Sequence, residues 1–418
     1  MAMETRIVLL ADMNAFFAAI EQQCNPALRG KPVLVCGNPT TRTIVTAASY
    51  EARPFGIKSG MPLGEALRAC PRAILVEGDP AKYVDTARHL QEMLLQFSPD
   101  VEVFSIDEAF VELLPYQDPM AVAKEFKKQL KAEFGLTCNV GIGPNKLVAK
   151  LAAELKKPDG LVWIKQADIP QVFETLPVSE LCGIGPRIES RLNALGIYTL
   201  GQLGRASRAA LRAYFGHFWG EMLADMGQGI DHAPVVSCLW TPEIKSMGHS
   251  YTLHRDTWDM KEVQAHLLRL ALMVGRRLRA ENFAGRTIRL TVRLSDFDTF
   301  CRHQTFPRWF RHGREIYQGA LAILQQMPSH QPVRMIGVAV ANLVKGALQR
   351  DLFLNNDKLQ ALEKTEDAIL NRFGEFSIKP AALLHIQAGP REEGKWTFTS
   401  EPAASHSIAG ARRFILTR

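Results

Sequence analysis

The chain has 418 residues, of which 47% are hydrophobic and 22% are charged, and its formal net charge is +7. This composition excludes a disordered or collagen-like chain, and the length allows roughly two to four domains. No apolar stretch approaches about 18 residues, and the seven scattered cysteines form no C-x-x-C pair, so a membrane span, a zinc site and a disulfide framework are not expected. We expect a cytoplasmic monomer with buried thiols.

The positive charge is concentrated in one region. Residues 243–348 contain 16 Lys and Arg against 8 Asp and Glu, so the rest of the chain is nearly neutral. Such a region favours an anionic partner, although many basic proteins have none.

The first predicted strand, Ile7–Ala11, ends at Asp12, and a helix begins near Asn14. Asp12 therefore places a carboxylate at the end of a buried strand. Phe16 and Phe17 follow, and from their spacing alone they suit core packing as well as a binding role.

The next segment is a strand, Pro32–Cys36, followed by a stretch rich in Gly and Pro with short helices predicted over Ser49–Phe55 and Pro62–Cys70. Tyr50 and Arg53 are three residues apart and would project from one helix face. Both can donate hydrogen bonds to phosphate oxygens, although such pairs are also common on protein surfaces.

Two adjacent acids, Asp107 and Glu108, lie between the alternating apolar runs Val101–Val103 and Phe110–Leu114. The pattern predicts a hairpin with the acids at or near its tip, where a solvated turn is the ordinary interpretation. The strand-end Asp12 favours a cation site instead, because neighbouring carboxylates supply the oxygen ligands that Mg²⁺ prefers.

Helices are predicted around this hairpin, over Ala81–Phe97 and Pro119–Phe134, followed by the strand Thr137–Ile142 and a long helix from Asn145. The mixture predicts an α+β domain with helices on one face of an antiparallel sheet. Lys157 lies near the end of the last helix, where a positive charge also interacts favourably with the helix dipole.

Four motifs occur in order: Asp12 to Phe17, Tyr50 to Arg53, Ser105 to Phe110, and Gly141 to Lys146 with Lys157 to Gly160. Together they resemble the motifs of the Y-family, or translesion, DNA polymerases, most closely the bacterial DNA polymerase IV branch. The resemblance covers roughly residues 5–350. It implies an α+β multidomain, right-hand fold with an α+β palm, small fingers, an all-α helix-hairpin-helix thumb and a β-α-β-β-α-β little finger domain.

The implied domain boundaries divide the chain into six parts. They are 1–12 and 72–166 for the palm, 13–71 for the fingers, 167–238 for the thumb, 239–248 for a linker, 249–345 for the little finger, and 346–418 for a clamp-binding peptide, a short helix and a flexible tail.

The resemblance also implies roles for individual residues. Asp12, Asp107 and Glu108 would be catalytic and, with the carbonyl of Met13, would hold two Mg²⁺ ions. Phe17 would be the steric gate, the ring beneath the nucleotide sugar that collides with a 2'-hydroxyl. The residues that bind the nucleoside triphosphate would be Phe16, Phe17, Tyr50, Arg53 and Lys157.

Residues 177–233 are predicted to be all-α. Gly183 and Gly185 lie in a turn that resembles a helix-hairpin-helix, whose backbone N–H groups approach a DNA phosphate. Helical hairpins with Gly turns are common, so this signal is weak alone. Glu189 stands where such hairpins usually have a small residue, which argues against close packing of the second helix.

The basic region predicts a strand, then a helix, two strands, a helix and a strand, the last five being Met260–Glu281, Arg286–Asp296, Phe300–Phe306, Glu315–Met327 and Val333–Asn342. Arg289 and Arg293 alternate with the apolar positions Ile288, Leu290, Val292 and Leu294. One sheet face would pack on the core, and the arginine face would contact the DNA backbone unless it is merely solvated.

Gln349, Leu352 and Phe353 belong to a five-residue stretch that resembles the peptide with which bacterial polymerases bind the sliding clamp, although such short motifs also arise by chance. Asp357–Arg372 is predicted to be helical. The last 30 residues, from Gly389, show no pattern and are predicted to form a mobile tail.

The resemblance implies a template-directed, low-fidelity DNA polymerase that adds deoxynucleotides to a primer 3'-hydroxyl by two-metal-ion nucleotidyl transfer, in translesion synthesis and DNA repair. Its partners would be primer–template DNA, deoxynucleoside triphosphates and the sliding clamp. A non-catalytic relative that recruits another polymerase would lack the three acids. A nucleotidyl cyclase would also present two acids, but it would need neither a hairpin thumb nor a basic sheet. Dependence of the reaction on primer–template DNA separates a polymerase from a cyclase.

Overall fold

The computed structural model describes residues 6–240, 243–327, 331–346, 357–384, 386, 398–400 and 414–416. The chain divides into two units, the first formed by Met1–Cys36 with Val45–Trp240 and the second by Gly37–Ile44 with Thr241–Arg418. In the residues described, no helix is long and apolar enough to cross a membrane.

The first unit is a mixture of strands and helices. Its strands are β1 (Val8–Met13), β2 (Val33–Cys36), β3 (Val45–Ala48), β4 (Ile74–Glu77), β5 (Val101–Val103), β6 (Glu108–Glu112), β7 (Cys138–Gly143) and β8 (Leu161–Trp163). Its helices are α1 (Phe16–Cys24), α2 (Leu63–Ala69), α3 (Pro80–Leu95), α4 (Pro119–Phe134), α5 (Lys146–Glu154), α6 (Ile169–Phe173), α7 (Pro186–Asn193), α8 (Leu200–Arg205), α9 (Arg208–Phe215) and α10 (His217–Gly227).

The largest sheet of this unit, here called the palm sheet, has the strand order β5-β6-β1-β7-β8. β1 is antiparallel to β6 and β7, whereas β8 is parallel to β7. Leu9 and Ala11 pack into the core formed with α3 and α4, and the alternate residues Val8 and Leu10 pack with Ala149 of α5.

Helices therefore cover both faces of the palm sheet, and the prediction of helices on one face was wrong. Gly141 and Gly143 of β7 make the second face accessible to α5. A Cβ at Gly141 would lie 2.1 Å from the carbonyl oxygen of Ala149, so only glycine permits this approach.

A smaller sheet with the order β3-β2-β4 was not predicted. β3 pairs with β2 in the antiparallel sense and β4 in the parallel sense, and α2 packs on their shared core. The helix predicted over Ser49–Phe55 was also wrong, since this segment is a turn followed by a 3-10 helix, Arg53–Phe55. Pro54 explains the difference, because it lacks an N–H group and disfavours a helical conformation at Arg53.

Helices α6 to α10 follow the palm sheet and bury a common core that includes Leu192, Leu203 and Leu223. This part is all-α, as predicted.

The second unit contains β9 (Ser246–Thr257), α11 (Met260–Ala280), β10 (Phe283–Leu294), β11 (Thr299–Phe310), α12 (Gly313–Leu324), β12 (Val333–Lys345), α13 (Asp357–Phe373), β13 (Phe398–Ser400) and β14 (Phe414–Leu416). Strands β9 to β12 form a four-stranded sheet in the order β11-β10-β12-β9, and its core is shared with α11 and α12. The predicted β-α-β-β-α-β domain and the α+β multidomain class are confirmed.

Helix α13 is fastened to α11 by charged side chains. Arg279 of α11 donates two hydrogen bonds of 2.8 Å to Asp367, and its third contact is Glu363 at 3.3 Å. Glu363 is only 7% exposed and also pairs with His312, while Arg276 pairs with Glu375 just beyond the helix. The helix predicted over residues 357–372 is thus part of a folded domain.

The cysteines and the C-terminal residues differ in part from expectation. All seven cysteines are free thiols, but Cys24, Cys182 and Cys301 are exposed, so the prediction of buried thiols was wrong for these three. Cys301 lies on edge strand β11, most of whose side chains are exposed. In the segment predicted to be a tail, β13 and β14 pair in the antiparallel sense.

Candidate active site

Asp12 lies at the centre of the palm sheet, near the end of β1. Its direct cross-strand neighbours are Glu108 in β6 and Asn139 in β7. Residues opposite one another on antiparallel strands project from the same face, so these three side chains converge on the face covered by α5. Asp12 is 8% exposed and Asn139 is 1% exposed.

Asp107 is held beside Asp12 by the hairpin. Its carbonyl oxygen accepts a 2.9 Å hydrogen bond from the backbone N–H of Met13, and its carboxylate accepts a hydrogen bond from the hydroxyl of Ser105. The Ser105 hydroxyl in turn accepts from the Asp107 N–H at 3.2 Å. These bonds fix the carboxylate of Asp107 at the hairpin turn.

Two lysines neutralise the acids. Lys157 donates to Asp12 and to Glu154, each at 2.7 Å, and Lys150 of α5 forms an ion pair with Glu108. Lys157 is predicted to bind a triphosphate, and in this structure its ammonium group lies against the carboxylate of Asp12.

Burial raises the pKa of Asp12 to about 6. The hydrogen bond and the charge of Lys157 act to lower this pKa, while the negative charges of Glu108 and Asp107 raise it further. Three carboxylates therefore share a region in which burial makes their mutual repulsion strong, and a cation would relieve it.

The donor set fits a hard divalent cation by its chemistry, since carboxylates and a backbone carbonyl such as that of Met13 are suitable oxygen ligands. Among the residues that the structure describes, no three His, Cys, Asp or Glu side chains are grouped closely enough to hold a metal ion. Lys150 and Lys157 occupy oxygens of Glu108 and Asp12, so a cation would have to compete with these ammonium groups.

Tyr50 and Arg53 lie on the fingers side of the same pocket. The Arg53 guanidinium lies over the Tyr50 ring at 4.1 Å from its centroid, and the Tyr50 hydroxyl donates to the Asn14 side chain at 3.2 Å. The turn therefore brings the two side chains together, although the helix from which this was predicted is absent.

The two phenylalanines of the first motif differ in their surroundings. Phe17 is partly exposed and stacks on Tyr83 with 4.3 Å between ring centroids, and the Tyr83 hydroxyl donates to the buried Glu21 at 2.7 Å. Phe16 is 3% exposed and its side chain belongs to the palm core.

The predicted catalytic, metal-binding and triphosphate-binding residues all line one pocket. They are Asp12, Met13, Phe16, Phe17, Tyr50, Arg53, Asp107, Glu108 and Lys157, and the same pocket includes Asn14, Asn139, Lys150 and Glu154.

Family models match three parts of the chain. A model described as the impB/mucB/samB family matches residues 11–154, and the C-terminal domain of that family matches residues 244–352. A model described as the thumb domain of DNA polymerase-iota matches residues 179–231.

Curated relatives cover nearly the whole chain. A DNA polymerase IV of Pelotomaculum thermopropionicum is 40% identical over 400 residues, which is 93% of this chain and 99% of the relative. A DNA polymerase IV of Moorella thermoacetica is 39% identical over 386 residues, 90% of this chain and 96% of the relative. The chain belongs to the Y family of DNA polymerases, in the DNA polymerase IV branch. It is therefore a DNA-directed DNA polymerase.

A solved structure agrees with this assignment. A Y-family DNA polymerase chimera, Dbh-Dpo4(243-245)-Dbh, is 27% identical and matches with a TM-score of 0.72 over 81% of this chain and 100% of the chimera.

Of the other predicted residues of this Y-family polymerase, Gly183, Gly185, Arg289 and Arg293 do not line the pocket. Gly183 has φ +104°, a conformation that favours glycine, and Gly185 precedes the first residue of α7; both are exposed. Glu189 of α7 is only partly buried, so the second helix of the hairpin is not closely packed at this position.

Arg289 and Arg293 lie on β10, where Arg289 is exposed and Arg293 is half-buried with a 2.9 Å hydrogen bond to Thr299. The alternating residues, Ile288, Leu290, Val292 and Leu294, are all buried in the domain core. The residues predicted to bind a sliding clamp, Gln349, Leu352 and Phe353, lie outside the described residues.

Sequence reasoning missed Lys150, Asn14 and Asn139 as pocket residues. Asn139 gave a usable signal, since it is an amide within the apolar run Cys138 to Ile142. Lys150 follows Lys146 by one helical turn, so the two side chains project from the same side of the helix. Their acidic partners could not be identified from the sequence. The structure supplies them as Glu108 for Lys150 and Glu102 for Lys146.

Proposed function

We propose that this DNA polymerase is a template-directed, low-fidelity enzyme of translesion synthesis and DNA repair that works by two-metal-ion nucleotidyl transfer. The observation that carries the proposal is the convergence of Asp12, Asp107 and Glu108 in the pocket that also contains Tyr50 and Arg53. Acids that suit a cation and groups that suit a phosphate thus face the same space.

Asp12 and Asp107 would hold two Mg²⁺ ions between them, with Glu108 and the Met13 carbonyl completing the ligand set. When bound, these ions supply the charge that lowers the pKa of the primer 3'-hydroxyl and neutralises the departing pyrophosphate. The buried position of Asp12 excludes most water, which makes its interaction with a cation strong.

Tyr50, Arg53 and Lys157 would bind the triphosphate. Arg53 supplies a planar set of donors for phosphate oxygens, and the Tyr50 hydroxyl and the Lys157 ammonium group supply further donors. Lys157 is paired with Asp12 at 2.7 Å, so nucleotide binding would transfer this ammonium group from the carboxylate to a phosphate.

Phe17 would exclude ribonucleotides. Its ring is kept in place by stacking on Tyr83, so it cannot turn aside easily for a 2'-hydroxyl. Phe16 would contribute to triphosphate binding through its position at the pocket wall, because its side chain packs in the palm core.

Contacts to primer–template DNA would come from the Gly183 and Gly185 turn and from Arg289 and Arg293. All are suited to sequence-independent contacts with phosphates, as a polymerase requires. We also propose that the protein binds a sliding clamp through Gln349, Leu352 and Phe353, and that it acts as a monomer.

The alternative is a non-catalytic family member that recruits another polymerase. The presence of all three carboxylates in one pocket favours catalysis.

Primer extension on an undamaged template with Mg²⁺ and the four deoxynucleotides tests the proposal. Asp107→Ala should bind primer–template normally and extend it less than about one-thousandth as fast as wild type, because a principal electrostatic element is lost. Asp100→Ala, which removes an exposed acid from the same hairpin, is the control and should extend normally. Near-normal extension by Asp107→Ala would disprove the metal site, and DNA binding without extension by wild type would favour the recruitment module.

A further inference from the structure

Two buried side-chain amides connect separate parts of the pocket. Asn14 is 4% exposed and Asn139 is 1% exposed. The amide nitrogen of Asn139 donates to the amide oxygen of Asn14 at 2.6 Å, across the junction between β1 and β7. Because both groups are buried, this hydrogen bond has little competition from water.

Asn14 carries the connection to the fingers. Its amide oxygen accepts a second hydrogen bond, from the Tyr50 hydroxyl at 3.2 Å. Its amide nitrogen donates to the Thr137 hydroxyl at 2.9 Å, and its backbone N–H donates to the Thr137 carbonyl at 3.0 Å. The position of the Asn14 oxygen is therefore fixed, and with it the position of the tyrosine hydroxyl.

Asn139 carries the connection to the loop that contains Lys157. Its amide oxygen accepts from the backbone N–H of Gly160 at 3.2 Å, three residues after Lys157. Lys127 of α4 holds the same loop by donating to the carbonyl oxygen of Asp159 at 2.9 Å and to its carboxylate at 2.6 Å. The backbone N–H of Val140 also donates to the carbonyl oxygen of Gly160 at 3.0 Å. Among these restraints on the loop, the amide of Asn139 leads through Asn14 to Tyr50.

The chemistry of the connection suits an amide at position 139. One side chain must donate to Asn14 and accept from Gly160 at the same time, and an amide has both functions. A carboxylate could not donate and would add a charge beside Asp12, and an apolar residue could do neither.

We propose that Asn139 is a positioning residue that sets the distance between Tyr50 and the Lys157 loop, and so tunes the affinity for the triphosphate of the incoming nucleotide. The inference rests on the proposed function, in which Tyr50 and Lys157 contact that triphosphate. Asn139 acts through these residues and needs no contact with the nucleotide itself. A purely structural role would instead stabilise the palm sheet without affecting nucleotide binding selectively.

The test uses Asn139→Ala and the larger, uncharged Asn139→Leu in the full chain, so that a result is available if one variant folds poorly. Binding of a deoxynucleoside triphosphate is measured on primer–template with a dideoxy-terminated primer, by fluorescence titration. We expect about three- to tenfold weaker nucleotide binding in both variants, the effect of losing one or two net hydrogen bonds. Affinity for primer–template and kcat at saturating nucleotide should stay within about twofold of wild type.

Val140→Ala is the matched control. Val140 is adjacent to Asn139 in β7, but it is fully buried in the core on the opposite sheet face. This variant should lower the melting temperature at least as much as Asn139→Ala does, and it should bind nucleotide normally. Equal weakening of nucleotide binding by the control would overturn the proposal in favour of a general loss of stability.

A double-mutant cycle with Tyr50→Phe tests the connection itself. If Asn139 acts through the tyrosine hydroxyl, removing that hydroxyl should weaken nucleotide binding less in the Asn139→Ala background than in wild type. Independent, multiplicative effects would overturn the proposal. Wild type that binds no nucleotide would refute the proposed function as well, whereas normal binding by both Asn139 variants would refute only the positioning role.

Discussion

The candidate active-site pocket and the arginine face of β10 use charge in opposite ways. In the pocket, Asp12 is almost fully buried and is paired with Lys157 at 2.7 Å. On β10, Arg289 is exposed, and the core lies behind it on the other side of the strand. In the pocket, the effect of a charge depends on its distance from its partners. On β10, the effect depends on the total positive charge of the face.

This difference follows from the solvent. A buried charge interacts strongly with its neighbours, so a small displacement or the loss of a partner changes the energy greatly. An exposed charge is screened by salt, and one arginine can partly replace another. Substitutions in the pocket should therefore change chemistry and selectivity, and substitutions on β10 should change only affinity.

After the loss of primer extension expected for Asp107→Ala, the largest effect in the pocket is expected for Phe17. Phe17→Ala removes the ring that stacks on Tyr83 and opens space beneath the nucleotide sugar, so selection against ribonucleotides should fall by about 100-fold. Competing incorporation of a ribonucleotide and its deoxynucleotide counterpart measures this ratio. Phe17→Leu, which keeps part of the bulk, should give an intermediate value. Unchanged sugar selection in both variants would place the gate elsewhere.

A smaller effect is expected from pH. Because the pKa of Asp12 is raised to about 6, its carboxyl keeps its proton at lower pH and is charged above that value. A cation needs the charged form, so its affinity should fall about tenfold for each pH unit below about 6. Titration with Mn²⁺, followed by electron paramagnetic resonance without DNA or nucleotide, measures this dependence. Asp12→Asn should bind weakly at every pH, and a flat wild-type profile would contradict the assignment.

The smallest effect is expected on β10. Arg289→Ala and Arg293→Ala should each weaken DNA binding a few-fold without changing kcat, and each should reduce the slope of log affinity against log salt by about 0.9. Lys364→Ala removes an exposed positive charge from α13 and serves as a control for net charge. A salt dependence equal to that of wild type in the double arginine variant would show that this face does not contact DNA.

Much of the fold was predictable where local pattern and packing agree. From Thr287 to Leu294 of β10 the apolar residues alternate with polar ones, and the structure has the predicted strand there. The hairpin of β5 and β6 also follows from alternation, and it brings Asp107 and Glu108 to the predicted place beside Asp12.

The small sheet could not be predicted in the same way. β3 and β4 have four residues each, and they gain strand structure only by pairing with β2 on either side. Such pairing is a tertiary interaction that no short window of sequence contains. The palm helix α5 also covers the second sheet face, because Gly141 and Gly143 of the preceding strand β7 permit the close approach of its backbone.

The pocket was predictable in its acids but not in its supporting polar groups. Asp12 and Asp107 stand at strand ends, which local pattern reveals. The partners of Asn14 come from residues 36 and 125 positions away in the chain, and Lys150 meets Glu108 across 42 positions. These contacts depend on strand register and helix placement, which are known only once the fold is known.

The docking of α13 determines how far the second unit extends along the chain. Arg276 and Arg279 of α11 find their carboxylate partners in Glu375, Glu363 and Asp367, all of which follow β12 in sequence. A protein shortened after β12 would lose all three carboxylate partners of these guanidinium groups, and with them the charged contacts that hold α13 on α11. The shortest fragment that keeps these ion pairs therefore extends beyond Glu375. The segment after β12 resembles a dispensable appendage, but it belongs to the folded domain.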